Sequence, residues 1–273
     1  MEITKKERQG VLFYSCDRMT QAGFPNGFST RVGGVSPAPW DSLNLGATLG
    51  DQPERVAENI RRFCRAVGVS HRDLVKNHQV HGDLVRPVTS ADRIEHLEQP
   101  GTDPADGLTT DQAGVALMAF SADCVPVLLC DPVKGVAAAV HSGWRGTALG
   151  IAARAVERMA DTYGSRPQDI LAAIGPGISL CCFETDEDVP RGLRQGLGDR
   201  AEEFTHPDPG GKFHVDLKGA IRRWLLDAGV PEDQIGLCPA CTACDGTLFW
   251  SHRRLGLSRG SLAAVIQREG AGE

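Results

Sequence analysis

The chain has 273 residues, 41% hydrophobic and 23% charged, an ordinary globular composition that excludes a disordered, collagen-like or coiled-coil protein. Its 29 basic and 35 acidic side chains give a net charge of −6 without long runs of either sign, which argues against a nucleic-acid partner. No stretch approaches the roughly 20 apolar residues of a membrane span, and the start, MEITKKERQG, lacks the apolar core of a secretory signal; we therefore expect a cytoplasmic protein without membrane association.

Strand-length apolar runs alternate with helix-period segments along the chain. The predicted strands lie at residues 11–15, 84–88, 115–120, 127–129, 136–140, 170–174 and 262–266. The predicted helices follow Asp51, Thr147 and Asp216, with glycines 68, 164 and 229 as their terminators. Each helix has one apolar face, namely Val56, Ile60, Phe63, Cys64 and Val67 in the first, Leu149, Ala152, Val156 and Met159 in the second, and Leu217, Ala220, Ile221, Trp224 and Leu225 in the third. The pattern predicts an α/β (α+β) fold with helices covering sheets, in a single domain over residues 1–273.

Nine cysteines stand at irregular spacing in a chain without export features. Their odd number favours reduced thiols over a disulfide framework, and metal binding or catalysis becomes the more informative hypothesis. They are Cys16, Cys64, Cys124, Cys130, Cys181, Cys182, Cys238, Cys241 and Cys244.

Three segments place a reactive side chain where a predicted strand begins or ends. HQVHG contains His78 and His81, SADCVP contains Cys124, and AVHSGWRG places His141 at the carboxyl end of a buried strand. Pro126 is expected to end regular strand pairing after Cys124. The spacings match no compact zinc finger, so convergence of the three segments is a hypothesis from their shared context alone.

Two imidazoles and one thiolate suit Zn²⁺ or copper and leave one tetrahedral position open, as in catalytic sites. The same residues could instead form a cysteine nucleophile with a histidine base and an orienting histidine. Separate core and surface positions are the simplest alternative. Residue spacing alone does not decide among the three.

Glycine-rich loops carry arginines that are suited to anion binding. Arg145 lies in the turn after His141, where a helix start offers free N–H groups, and Arg31 lies in FSTRVGG. From charge and loop position, Arg31, Asn44 and Arg145 are candidate phosphate or ribose contacts, although the glycines can equally be plain turn residues.

The run Cys238-Pro-Ala-Cys241-Thr-Ala-Cys244 has a spacing that can hold zinc or an iron–sulfur cluster. A fourth ligand is missing from the local sequence, and Cys181 or Cys182 could supply it only if the fold brings them near. Buried apolar packing of small thiols is the alternative, so the role of these three cysteines stays open.

A series of motifs, in order, resembles one known family over residues 23–266. The motifs are GFSTRVGGVS, SLNLG, GDQPERVAENIRR, NHQVHGDLV, ADGLTT, SADCVPVLLCDP, AAVHSGWRGT, AIGPGISLCCFE, VDLKGAI, CTAC and FWSHRR. The family was formerly described as multicopper polyphenol oxidoreductases or laccase-domain proteins, and its members are now mostly described as purine nucleoside phosphorylases.

The resemblance implies one domain of mixed β-sheets packed together with helices outside. It implies a metal, usually zinc and possibly copper, held by His81, Cys124 and His141, whereas His78 does not match the family histidine. It further implies phosphorolysis of adenosine, inosine, guanosine and methylthioadenosine with phosphate, deamination of adenosine, and a monomer or homodimer.

Two alternatives accompany this resemblance. Some relatives are described as peptidoglycan editing factors, which implies amide hydrolysis with Cys124 as nucleophile. The older label implies copper-dependent oxidation of phenols, for which a chain with eight histidines looks undersupplied. The sequence also departs from the family where His252 precedes Arg253 and Arg254 and where Ser258 precedes Arg259, which bears on substrate preference.

Overall fold

The computed structural model describes residues 1–270, and this part of the chain contains three mixed or antiparallel β-sheets and seven α-helices. The strands are β1 (Ile3–Arg8), β2 (Val11–Cys16), β3 (Asn26–Ser29), β4 (Leu74–Lys76), β5 (Val85–Pro87), β6 (Gly107–Thr110), β7 (Ala116–Ser121), β8 (Val125–Asp131), β9 (Val136–Ser142), β10 (Leu171–Ile174), β11 (Glu184–Thr185), β12 (Thr205–Pro207), β13 (Phe213–Val215), β14 (Ile235–Leu237) and β15 (Leu262–Gln267). The helices are α1 (Asp17–Gln21), α2 (Pro53–Val67), α3 (Trp144–Ala148), α4 (Ile151–Tyr163), α5 (Asp188–Leu197), α6 (Leu217–Asp227) and α7 (His252–Leu255).

Two six-stranded sheets form the centre of the fold. The first has the order β1-β2-β3-β15-β7-β4 and is antiparallel except where β4 pairs with β7. The second has the order β14-β10-β8-β9-β6-β5, with parallel pairs at both edges, β10 with β14 and β5 with β6. A small antiparallel sheet, β11-β13-β12, lies apart from them.

Side-chain alternation along the central strands explains how the layers pack. In β8, Leu128 and Cys130 join the apolar core between the two large sheets, while Val127 and Leu129 join the core beneath α4, α5 and α6. The first sheet alternates in the same way and is covered on its outer face by α2. The order of layers is therefore helix, sheet, sheet, helix. Central strands buried on both faces require the continuous apolar runs seen in the sequence.

The predicted α/β (α+β) class, with mixed sheets packed together and helices outside, is confirmed. Each predicted apolar run overlaps a strand, and Gly68 and Gly164 end their helices with left-handed backbone. Within residues 1–270, no helix has both the length and the apolar character needed to cross a bilayer.

Four local predictions were wrong. Asp51 does not cap α2, because Gln52 is the N-cap and the Asp51 carboxylate instead accepts hydrogen bonds from Ser36 and Asn44. The helix predicted after Thr147 is two helices, and Leu149, between them, is half exposed rather than buried. Pro126 does not end pairing, because it lies within β8 opposite His141. Its missing N–H is tolerated there while its carbonyl still accepts a hydrogen bond from Gly175.

Candidate functional site

The fold brings His81, Cys124 and His141 together at one end of the second large sheet. Antiparallel pairing of β8 with β9 sets Pro126 opposite His141, so Cys124, just before β8, lies beside the end of β9. His81 reaches the same point from the loop between β4 and β5. Their potential ligand atoms all lie within 4.8 Å of one another, and the two imidazole rings meet edge to face with centroids 4.8 Å apart. The cluster can therefore hold a metal ion.

The buried carboxylate of Asp106 shapes the loop that carries His81. It accepts the backbone N–H groups of Val80, His81 and Gly82 at 3.2, 3.0 and 2.7 Å. His81 itself has a left-handed backbone, with φ of 60°, which is unusual for a residue with a side chain. These three hydrogen bonds hold the loop in that conformation and fix the position of the imidazole.

Asp106 also orients the second histidine. Its Oδ1 lies 2.8 Å from Nδ1 of His141, and its backbone carbonyl accepts the N–H of His141 at 2.7 Å. A carboxylate acceptor favours the proton on Nδ1 and leaves Nε2 available as a ligand, the usual arrangement behind metal-bound histidines. Burial raises the pKa of Asp106, but hydrogen bonds from His141 and the loop amides outweigh burial and lower it.

A tight connection between the two sheets presents Cys124. The preceding residue, Asp123, has φ of 88° and a carboxylate that accepts hydrogen bonds from Thr242, Ser251 and the backbone of Arg253. This buried anchor ties the turn before β8 to the segment around α7. The position of the thiol therefore depends on contacts far away in the sequence.

Cys124 and His141 each stabilise the charged form of the other. Burial raises the pKa of the Cys124 thiol, but the charge of His141 and hydrogen bonds with both imidazoles lower it overall to about 6. Burial lowers the pKa of His141, whereas the Cys124 thiolate and Asp106 raise it to about 9. Without a metal, the pair is a thiolate and an imidazolium near neutral pH. A thiolate is the form that ligates metals and attacks electrophiles.

Gly143 leaves the space that the cluster occupies. A Cβ atom at this position would lie 2.9 Å from Cδ2 of His81 and 3.1 Å from Sγ of Cys124. Both distances are too short for ordinary contacts, so any side chain here would displace a member of the cluster. The glycine of the HSGWRG segment thus has a packing role at the site.

A cavity of about 450 Å³ adjoins the cluster. This volume is within the roughly 300–1,000 Å³ typical of small-molecule sites. Aromatic side chains and two arginines contribute to its wall, which includes Phe120, Trp144, Phe183, Arg253 and Arg259 beside the three cluster residues. The cavity thus combines flat apolar surface with positive charge.

The other sequence-predicted contacts lie elsewhere. Arg145 lines a neighbouring cavity of about 520 Å³ that also touches His81, and it stacks on Trp144. Arg31 pairs with Asp41 and stacks on Trp250, whereas Asn44 is fully buried and bonds to Asp51 and to loop backbone. Neither Arg31 nor Asn44 lines either cavity. Phosphate or ribose contact by these three residues stays a prediction.

Sequence reasoning gave no role at the site to Asp106 or Asp123, and it connected Arg259 only with substrate preference. Asp106 lies in the ADGLTT motif and Asp123 directly precedes Cys124, so the motifs contained a signal that was not interpreted. Arg259 lies in the late segment that departs from the family pattern, and its Nε lies 3.4 Å from Nδ1 of His252. Acidic residues beside a proposed metal ligand are the general signal for such supporting contacts.

Two relatives named purine nucleoside phosphorylases are similar to the chain over nearly its whole length. The chain is 38% identical to purine nucleoside phosphorylase YlmD of Geobacillus stearothermophilus over 98% of this chain and 97% of that protein. It is 40% identical to a purine nucleoside phosphorylase of Deinococcus radiodurans over 93% and 94% of the two chains.

Solved structures match the whole fold. The crystal structure of YlmD from Geobacillus stearothermophilus superposes with a TM-score of 0.92 at 37% identity, covering 99% of this chain and 100% of that one. The hypothetical protein YfiH of Bacillus licheniformis gives 0.90 at 33% identity, with 97% and 99% covered. The sequence profile described as "Multi-copper polyphenol oxidoreductase laccase" matches residues 25–269, and the chain belongs to this laccase-like family.

Proposed function

We propose that this protein is a zinc-dependent purine nucleoside phosphorylase that also deaminates adenosine. The observation that carries the proposal is the His81–Cys124–His141 cluster at a cavity with both aromatic and cationic walls. Relatives at 38% and 40% identity bear the name purine nucleoside phosphorylase. The proposed substrates are adenosine, inosine, guanosine and methylthioadenosine, with inorganic phosphate as co-substrate.

The donor set fits zinc. Two imidazoles and one thiolate provide three ligands, Asp106 holds a proton on Nδ1 of His141 so that Nε2 is the nitrogen available to a metal, and Gly143 leaves room between the donors. Zinc bound there supplies Lewis-acid chemistry, which polarises a substrate oxygen or activates water for attack. Copper is the other ion that these ligand types accommodate.

The cavity walls offer complementary surfaces for the purine base and for phosphate. Apolar rings for a purine base are offered by Phe120, Trp144 and Phe183, since aromatic side chains stack on the flat face of any nucleobase. Arg253 and Arg259 offer positive charge for phosphate. In phosphorolysis a phosphate oxygen forms a bond to the ribose C1′ while the bond from C1′ to the base breaks. The arginines would hold that phosphate in place.

Within residues 1–270, Nη2 of Arg259 has no protein acceptor, while its Nη1 donates to the carbonyl of Gly260 at 2.9 Å. We therefore place Arg259 first among the phosphate contacts. Arg145 is retained as a second contact through the adjoining cavity. The hydrogen bonds of Arg31 and Asn44 favour roles in loop structure for these two residues.

One observation favours a second candidate, hydrolysis of an amide in a peptidoglycan precursor. Cys124, His141 and Asp106 form a chain of thiol, imidazole and carboxylate, the order of residues in nucleophilic catalytic triads. The thiolate of Cys124 would attack the amide carbon, and His141 would pass its proton to the leaving amine as the C–N bond breaks. Water would then hydrolyse the resulting thioester, releasing the acid and restoring the thiolate of Cys124 and the protonated His141. This chemistry needs no metal.

The deciding experiment follows free base and ribose 1-phosphate by chromatography. Zinc-quantified protein is incubated with adenosine or inosine, with and without phosphate, alongside His81→Ala and the neighbouring His78→Ala as a control. Phosphate-dependent release of base that is lost in His81→Ala and kept in His78→Ala supports phosphorolysis at this cluster. Inosine formed from adenosine without phosphate supports the deaminase.

Persistence of phosphorolysis in His81→Ala without bound metal would refute the role of zinc. If zinc-loaded protein releases no base, the amide hydrolase becomes the better proposal. Its signature would be cleavage by metal-free protein that is abolished by Cys124→Ser.

A further inference from the structure

A second cluster of sulfur ligands lies apart from the His81–Cys124–His141 group. Cys181 and Cys182 come from the loop between β10 and β11, and Cys241 and Cys244 come from the segment after β14. Their four Sγ atoms all lie within 4.8 Å of one another. Tertiary structure thus brings two cysteines of the CxxCxxC run together with both cysteines of the vicinal pair.

We propose that these four thiolates bind one zinc ion in a structural site. Tetrahedral zinc with Zn–S bonds of about 2.3 Å separates its sulfur ligands by about 3.8 Å. Sγ of Cys244 lies 3.4 Å from Sγ of both Cys181 and Cys182. These two distances are within half an ångström of that separation, and no pair among the four atoms is farther apart than 4.8 Å. Four protein ligands leave no open position, which is the mark of a structural rather than a catalytic zinc.

The spacing and membership of the cluster favour a single ion over an iron–sulfur cluster. An iron–sulfur cluster inserts several iron and sulfide ions between its cysteines and holds the thiolates farther apart than a single ion does. Cys238, the first cysteine of the CxxCxxC run, is outside the group and buried among apolar residues. The three cysteines of the run therefore do not bind one metal together.

Surrounding groups suit the negative charge of four thiolates. The backbone N–H of Ser179 donates to Sγ of Cys241 at 3.3 Å, the kind of contact that stabilises a metal-bound sulfur. The ammonium of Lys218 is buried nearby, held by the carbonyls of Cys238 and Ala240, and interacts electrostatically with Cys241 and Cys181. A zinc tetrathiolate carries two net negative charges, which this cation partly offsets.

The proposed zinc would join two segments that form the wall of the catalytic cavity. Phe183 follows Cys182 directly and lines that cavity, and Arg253 donates to the carbonyls of Cys182 and Glu184. Thr242, next to Cys241, donates to the Asp123 carboxylate, which sets the turn before Cys124. The second ion would thus fix the relative position of the two wall segments without touching substrate.

The test counts metal ions, so its result does not depend on the proposed activity. Protein purified under reducing conditions and loaded with Zn²⁺ is analysed by mass spectrometry for zinc, iron and copper per chain. We expect two zinc ions in the unaltered chain, one in His81→Ala and one in the double variant Cys241→Ser/Cys244→Ser. The matched control Cys238→Ala, in the same motif, should keep two.

A cysteine variant could lose zinc simply because it fails to fold. A second measurement therefore uses the unaltered protein and compares alkylation of its cysteines with and without zinc. Cys181 and Cys244 are exposed, so in the absence of metal they should be open to alkylation by iodoacetamide at a measurable rate. Bound zinc should slow their alkylation at least tenfold until a chelator is added. The proposal would be overturned by equal alkylation rates in zinc-loaded and metal-free protein, by iron in place of zinc, by a disulfide within the cluster, or by unchanged zinc in Cys241→Ser/Cys244→Ser.

Discussion

Asp106 provides the sharpest test of how the His81–Cys124–His141 cluster is held. In Asp106→Asn the side chain keeps one acceptor oxygen, and its NH₂ group faces donors that the carboxylate now satisfies. Four hydrogen bonds are affected, one from Nδ1 of His141 and three from the backbone of residues 80–82. Loss of such a supporting carboxylate typically lowers metal affinity 10- to 100-fold, or about 1.4–2.8 kcal/mol.

The assay is zinc competition against a chromophoric chelator, together with urea unfolding. A matched control is Asp131→Asn, because Asp131 is also buried and its Oδ1 accepts two loop N–H groups at the other end of β8. Asp106→Asn should lose about 1–3 kcal/mol of unfolding free energy through unsatisfied donors. Asp131→Asn should lose less, because its remaining oxygen still accepts both loop N–H groups and Oδ2 of Asp131 has no partner within residues 1–270. Only Asp106→Asn should lose zinc affinity. Equal zinc affinity in Asp106→Asn and the unaltered chain would refute the reasoning.

Three further predictions concern space, charge and phosphate. Gly143→Ala should abolish zinc binding at His81 and Cys124 while the circular dichroism spectrum stays unchanged, because the new Cβ occupies the space between them; full zinc retention at this cluster would contradict this account. Burial lowers the pKa of Lys76 from 10.5 to about 8, so between these values the unfolded state binds more protons and stability rises with pH. Relative to Lys76→Met, unfolding free energies in urea should therefore show a gain of about 2 kcal/mol from pH 7.5 to 10. Parallel pH profiles would show that folding does not lower the pKa of Lys76. Arg259→Gln should raise the KM for phosphate at least tenfold with a smaller change for inosine, whereas Arg31→Gln should leave both unchanged; equal effects of the two substitutions would reject Arg259 as the phosphate contact.

Much of the local structure follows from the sequence alone. Apolar runs such as residues 136–140 indicate central strands. A strand that is buried on both faces needs an apolar side chain at nearly every position. The first helix ends at Gly68 because this residue adopts left-handed backbone at little cost. The motifs also identified His81, Cys124 and His141, which lie close together in the structure. Helix starts were predicted less well, since Asp51 serves a loop instead of a cap.

Convergence of distant residues was decided by the tertiary structure. Cys124 meets His141 because of the register of β8 and β9, and hydrophobic periodicity carries no information about which strands pair or in what register. For the same reason, the sequence did not predict that Asp106 forms hydrogen bonds with the segments of both histidines. Nor did it predict that Cys181 and Cys182 lie beside the CxxCxxC run. Local pattern determines which side of a strand or helix is buried, whereas a site depends on contacts between segments far apart in the chain.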